Sequence, residues 1–137
     1  MGTICNNILD KKGEYKWKIK ILNSARGNIM VGVAPFDFDI GSSSFDYGWY
    51  LKCGSLNLYS GPPQNYGKKK YKSRKEVINL DEITLIMNTF KKTLTFSYIL
   101  DNQERNSSYN DIPMDKPLAP AILLFNLDDS VEIISLE

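Results

Sequence analysis

The chain has no histidine among its 137 residues. That absence removes the side chain that gains and loses a proton near neutral pH. With it go Ser-His-Asp and Cys-His nucleophile schemes and the commonest metal ligand. Cysteine is nearly absent too: Cys5 and Cys53 stand alone, with no CxxC spacing. Two cysteines make no disulfide framework, and a zinc site would have to take its remaining ligands from carboxylates. Both are read as free thiols, and neither a metal nor a cofactor is expected. No sign of charge dominates, since 17 Lys and Arg face 16 Asp and Glu for a formal charge of +1. No whole-chain field therefore draws nucleic acid, anionic lipid or an acidic substrate. No apolar run approaches the roughly 18–20 residues of a membrane helix. The first residues lack the basic-then-apolar pattern of a secretory leader, so an intracellular, cytoplasmic location is expected. Nowhere do apolar residues recur at i, i+3, i+4, i+7 over three turns, which excludes amphipathic helices.

What is present is alternation. Tyr15, Trp17, Ile19 and Ile21 interleave with Lys16, Lys18 and Lys20, the period of two that marks a strand with one buried and one wet face. A Ser-Ala-Arg-Gly break precedes a more deeply buried strand at 28–34. Short strands are expected at 48–53 and 56–59 around a Gly54-Ser55 turn. Pro62-Pro63 cannot continue a ladder. Ile83, Leu85 and Met87, then Leu94, Phe96 and Tyr98, form one face of two strands joined by a hairpin at 88–93. Residues 101–116 are polar and read as loop, anchored by Tyr109 and Ile112. Strands at about 121–126 and 131–136 end the chain. A composition of 42% hydrophobic and 24% charged residues suffices for one packed domain. The fold class is all-β, a twisted antiparallel β-sandwich of two sheets. Trp17 and Trp49 are read as core, because a pleated face suits a large apolar ring.

Five segments in order resemble the SPRY domain. They are Gly13-x-Tyr15-x-Trp17-x-Ile19, Val31-Gly32-Val33-Ala34, Gly48-Trp49-Tyr50-Leu51, Ile83–Asn88 followed by Leu94-Thr95-Phe96, and Pro117-Leu118-x-Pro120 with Val131-Glu132-Ile133. The resemblance covers residues 13–137, with 1–12 as a lead-in in which Thr3–Leu9 could supply an edge strand. It departs from the family in that short lead-in, in a hairpin without glycine at 89–93, and in Leu100-Asp101-Asn102 where an Asn-Gly turn is usual. It implies a concanavalin-like jelly-roll sandwich. It further implies a non-enzymatic protein-interaction module that reads a short peptide or surface loop through its inter-strand loops. Such a module is expected as a monomeric domain of a larger protein.

The candidate partner-binding residues follow from these readings. Residues 35–47 carry Phe36, Phe38, Phe45 and Tyr47 among small and acidic residues, more apolar surface than a solvated turn needs. The four rings either fold back on the end of the sandwich or form a pocket whose aromatic anchors hold a partner. The resemblance adds Arg26, whose guanidinium can grip a carboxylate or carbonyl bidentately, and Phe125 near the family's apolar pocket. A secondary basic patch, Lys68, Lys69, Lys70, Lys72, Arg74 and Lys75, stands beside Tyr66 and Tyr71. It suits an acidic protein surface or, less well, nucleic acid. Asp37 and Asp39 lack the further oxygens calcium requires. Adjacent carboxylates at 81–82 and 128–129 point to opposite strand faces and cannot flank a glycosidic bond. A carbohydrate-binding, lectin-like sandwich is the alternative, because aromatic loops also stack on sugars.

Overall fold

The computed structural model describes residues 2–4, 9, 12–24, 27–35, 48–61, 80–114, 117–124 and 127–136. They form ten strands: β1 Gly2–Ile4, β2 Glu14–Asn23, β3 Met30–Pro35, β4 Gly48–Lys52, β5 Asn57–Gly61, β6 Glu82–Asn88, β7 Thr93–Leu100, β8 Gln103–Tyr109, β9 Leu118–Leu123 and β10 Ser130–Leu136. Two five-stranded antiparallel sheets result, in the orders β1-β9-β3-β4-β5 and β10-β2-β6-β7-β8. The expected fold class stands.

The core lies between the sheets. Trp17 and Ile19 of β2, Ile83, Leu85 and Met87 of β6, and Leu94, Phe96 and Tyr98 of β7 face Val31 and Val33 of β3, Trp49 and Leu51 of β4 and Ile122 of β9. Both tryptophans are buried, as read from sequence. The alternation of β2 is met by that of β6 and β7, so the outer face of this sheet carries Lys16, Lys18, Lys20, Thr84 and Ser97. The other sheet is different, because β3 and β9 are buried on both faces. A second cluster of Met30, Ala34, Tyr50, Ala121 and Leu123 has the opposite parity to Val31, Val33, Leu51 and Ile122. Such two-sided burial explains why these strands read as continuous apolar runs rather than alternations.

Two hydrogen-bonded devices join elements. Thr89 donates its backbone N–H to Gly13 O (2.9 Å), and its Oγ1 accepts from Gly13 N (2.9 Å). The Tyr109 hydroxyl donates to Tyr50 O at 2.7 Å inside the sandwich, tying β8 of one sheet to β4 of the other. Among the described residues no buried side-chain nitrogen or oxygen lacks a partner.

Three expectations are corrected. Residues 103–109, read as loop, are strand β8, paired along its whole length to β7. The strand expected at 121–126 is Leu118–Leu123, because its ladder with β3 starts at Pro35↔Leu118. The strand expected at 56–59 runs from Asn57 to Gly61, held by Trp49↔Ser60 and Gly48↔Gly61.

Candidate functional site

The antiparallel orders set which loops meet. At one end of the sandwich lie the end of β2, the start of β3, the β4–β5 turn, the start of β6, the β7–β8 turn and the gap between β9 and β10. Backbone hydrogen bonds knit this end together. Cys53 N donates to Ile29 O (2.8 Å) and Gly54 N to Gly27 O (3.0 Å), extending the β3–β4 ladder past Met30↔Lys52. A Cβ at Gly54 would strike the backbone of Gly27, so only glycine permits this approach. Gly27 N donates to Ser24 Oγ at 3.1 Å, bending the chain after β2. Ile21 N donates to Asp81 O at 2.8 Å, and Asn23 Nδ2 donates to Asp128 O.

Between these supports is a cleft of about 220 Å³ lined by Ile21, Leu22, Asn23, Ser24, Cys53, Leu80 and Asp81. A neighbouring groove shares Ile21 and Asp81 and adds Lys20, Glu82 and Ile99. Leu22 and Ile99 are 55% and 61% exposed, so apolar side chains stand on a rim that also carries the polar groups of Asn23, Ser24 and Asp81. Its charges belong to Lys20, Asp81 and Glu82. Lys18 Nζ lies 3.9 Å from Glu82 Oε1, with both side chains more than a third exposed, a pair that contributes little.

Burial pushes the Cys53 thiol up from 9.0 to about 12, so it stays protonated at neutral pH and is a poor nucleophile and metal ligand. Among the described residues no group of three or more Cys, Asp or Glu is placed to hold a metal ion.

All the residues singled out from sequence, Arg26, Phe36, Phe38, Phe45, Tyr47, Phe125, Lys68, Lys69, Lys70, Lys72, Arg74 and Lys75, lie outside the described residues. Their flanks are described. Ser24 and Gly27, on either side of Arg26, and Leu124 and Leu127, on either side of Phe125, belong to the cleft end. Pro35 and Gly48, which bracket the aromatic segment, belong to the other end, roughly 17 Å away along β3. The basic segment runs between Gly61 at that far end and Leu80 at the cleft. Sequence reasoning missed Leu22, Leu80 and Ile99. One signal was there: Leu22 occupies the parity of Lys16, Lys18 and Lys20, an apolar residue on a wet face.

No family model and no curated protein matches the sequence. Solved structures do match in shape. The TRIM65 PSpry domain superposes with a TM-score of 0.67 at 13% identity, covering 98% of this chain and 70% of that one. The stonustoxin structure gives 0.69 at 13% identity, covering 97% of this chain and 20% of that one. The chain therefore spans only a small part of the toxin's length. At such identity the likeness speaks for architecture alone, and the architecture is a SPRY-like β-sandwich.

Proposed function

We propose that the protein is a non-enzymatic interaction module that binds a short peptide or surface loop of a partner protein at the cleft end of the sandwich. The observation that carries this reading is the cleft itself: the apolar side chains of Ile21, Leu22, Leu80 and the neighbouring Ile99 stand beside the polar groups of Asn23, Ser24 and Asp81, set among turns whose backbones are fixed by hydrogen bonds. A rigid frame holding a small slot of mixed polarity lowers the ordering cost of binding. Leu22 and Leu80 are the aliphatic wall, and the segments carrying Arg26 and Phe125 leave and re-enter the sheets beside it. The aromatic segment with Phe36, Phe38, Phe45 and Tyr47 is the second set of proposed partner-binding residues, and mutation tests it apart from the first.

Selection of a displayed random-peptide library on the immobilised protein tests this reading. Enriched peptides should bind the parent and lose about tenfold or more affinity in Leu22→Asp or Arg26→Ala. A matching loss in Phe38→Ala would bring the aromatic segment into the same site, and unchanged binding would exclude it. A library that yields no binder, alongside a glycan array that lights up, would replace the peptide ligand with a sugar.

A further inference from the structure

Among the described residues the two sheets have four edges, and three of them are built against pairing with another strand. β1 has three residues. β10 carries two register shifts against β2, the kind of bulge that twists an edge away. β5 is five residues long and runs straight into Pro62-Pro63. The fourth edge, β8, has none of these features. It is seven residues long and lacks proline. Its pairing to β7 is unbroken from Leu94↔Tyr109 to Leu100↔Gln103, and residues 103–106 and 108 are exposed.

The turn into β8 tells which of its backbone groups point away from β7. Asp101 and Asn102 have φ of 54° and 62°, the double left-handed conformation of a two-residue type I′ hairpin, in which the closing pair is hydrogen-bonded. Leu100 and Gln103 are that pair. Hydrogen-bonded and non-hydrogen-bonded pairs then alternate along an antiparallel ladder. Gln103, Arg105, Ser107 and Tyr109 direct their N–H and C=O groups at β7, while Glu104, Asn106 and Ser108 direct theirs outward.

We infer that β8 is a self-association edge, pairing antiparallel with β8 of a second copy of this chain about a two-fold axis at Asn106. The occupant is argued from complementarity. In the register that keeps the whole strand paired and sets outward groups against outward groups, Asn106 meets Asn106 of the second copy. Glu104 meets Ser108 of the second copy, and Arg105 meets Ser107 of the second copy. No two like charges stand directly opposite, which would destabilise a pair. Each carboxylate and guanidinium faces a hydroxyl, and the two amides face each other. A two-fold edge contact is closed, so it stops at a dimer and joins one sheet of each copy into a continuous sheet. The proposal departs from the monomeric state expected from sequence, and the cleft reading above does not depend on it.

Sedimentation velocity on the 137-residue chain, from micromolar to millimolar protein, tests the proposal. The parent should shift from monomer to dimer with concentration. Asn106→Pro removes an outward N–H while sparing the β7 ladder, and its circular dichroism should match the parent; it should stay monomeric throughout. Ser108→Lys places an ammonium opposite Glu104 of the second copy and should tighten the dimer roughly threefold or more, because the contact occurs twice. Ser108→Glu should weaken it by a similar factor. A parent that remains monomeric at millimolar concentration overturns the proposal. So does a dimer that persists in folded Asn106→Pro.

Discussion

Among the described residues five that are not glycine sit in the left-handed region: Leu56, Lys92, Asp101, Asn102 and Asp111. Asp and Asn tolerate that conformation because their short side chains bond locally. Asp101-Asn102 therefore builds the turn that an Asn-Gly pair would otherwise make. Lys92 has no such help. At φ 60° its Cβ crowds its own carbonyl, while that carbonyl accepts the N–H of Ile112 at 3.1 Å. Lys92→Gly should raise stability by about 0.5–1 kcal/mol, the steric relief less the entropy of an added glycine. Urea unfolding would show this as a higher midpoint with an unchanged slope. A lower midpoint would mean that the aliphatic stem of Lys92 contributes more than the backbone strain costs. This level of detail was hidden in the sequence. The hairpin at 88–93 was legible from the alternation on either side, but a lysine carries no sign that it will be held left-handed.

Strands were legible where their inward residues are apolar, and invisible where they are not. The inward parity of β8 is Gln103, Arg105, Ser107 and Tyr109, and only Tyr109 reaches the core. Edge strands that overhang the sandwich bury little, so hydrophobic alternation has nothing to report. β9 failed in the other direction, since burial on both faces erases alternation and blurs its ends. The loops most relevant to binding were legible as loops, but the cleft between them was not, because it depends on which strand ends share one end of the sandwich. Gly32 shows how tight the element-level fit is. It pairs with Tyr50, and a Cβ there would strike the Trp49 carbonyl and approach within 2.9 Å of Tyr50 Cα. These are backbone atoms that cannot rotate away. Gly32→Ala should force β3 and β4 apart and cost roughly 3 kcal/mol or more, read as a drop in thermal midpoint. A loss under about 1 kcal/mol would mean that the ladder shifts cheaply, and that glycine at this position is not required.

At the scale of the molecule, the weak point is the open side of β9. Its six residues, Leu118–Leu123, are buried throughout, and β3 covers only one of its edges. The other is covered by β1, through Gly2↔Leu123, Thr3↔Ile122 and Ile4↔Ala121, and then by Leu9 N donating to Leu118 O at 2.7 Å. Pro120 stands next to Ala121, the last of the described β1 partners, and has no N–H to offer a further strand. Three residues from one end of the sequence thus shield an apolar strand from near the other end. Without them, Leu-Ala-Pro-Ala-Ile-Leu would offer unpaired backbone beside buried side chains, the arrangement that invites edge-to-edge aggregation. Removal of residues 1–9 should therefore lower the thermal midpoint and convert the protein to high-molecular-weight species on size exclusion. This differs from β8 pairing, which is closed and stops at a dimer. Asn106→Pro in the truncated chain separates the two edges: aggregation should persist although β8 can no longer pair. If the truncated chain instead stays soluble with an unchanged midpoint, β1 contributes no cover, and Pro120 alone protects that side of β9.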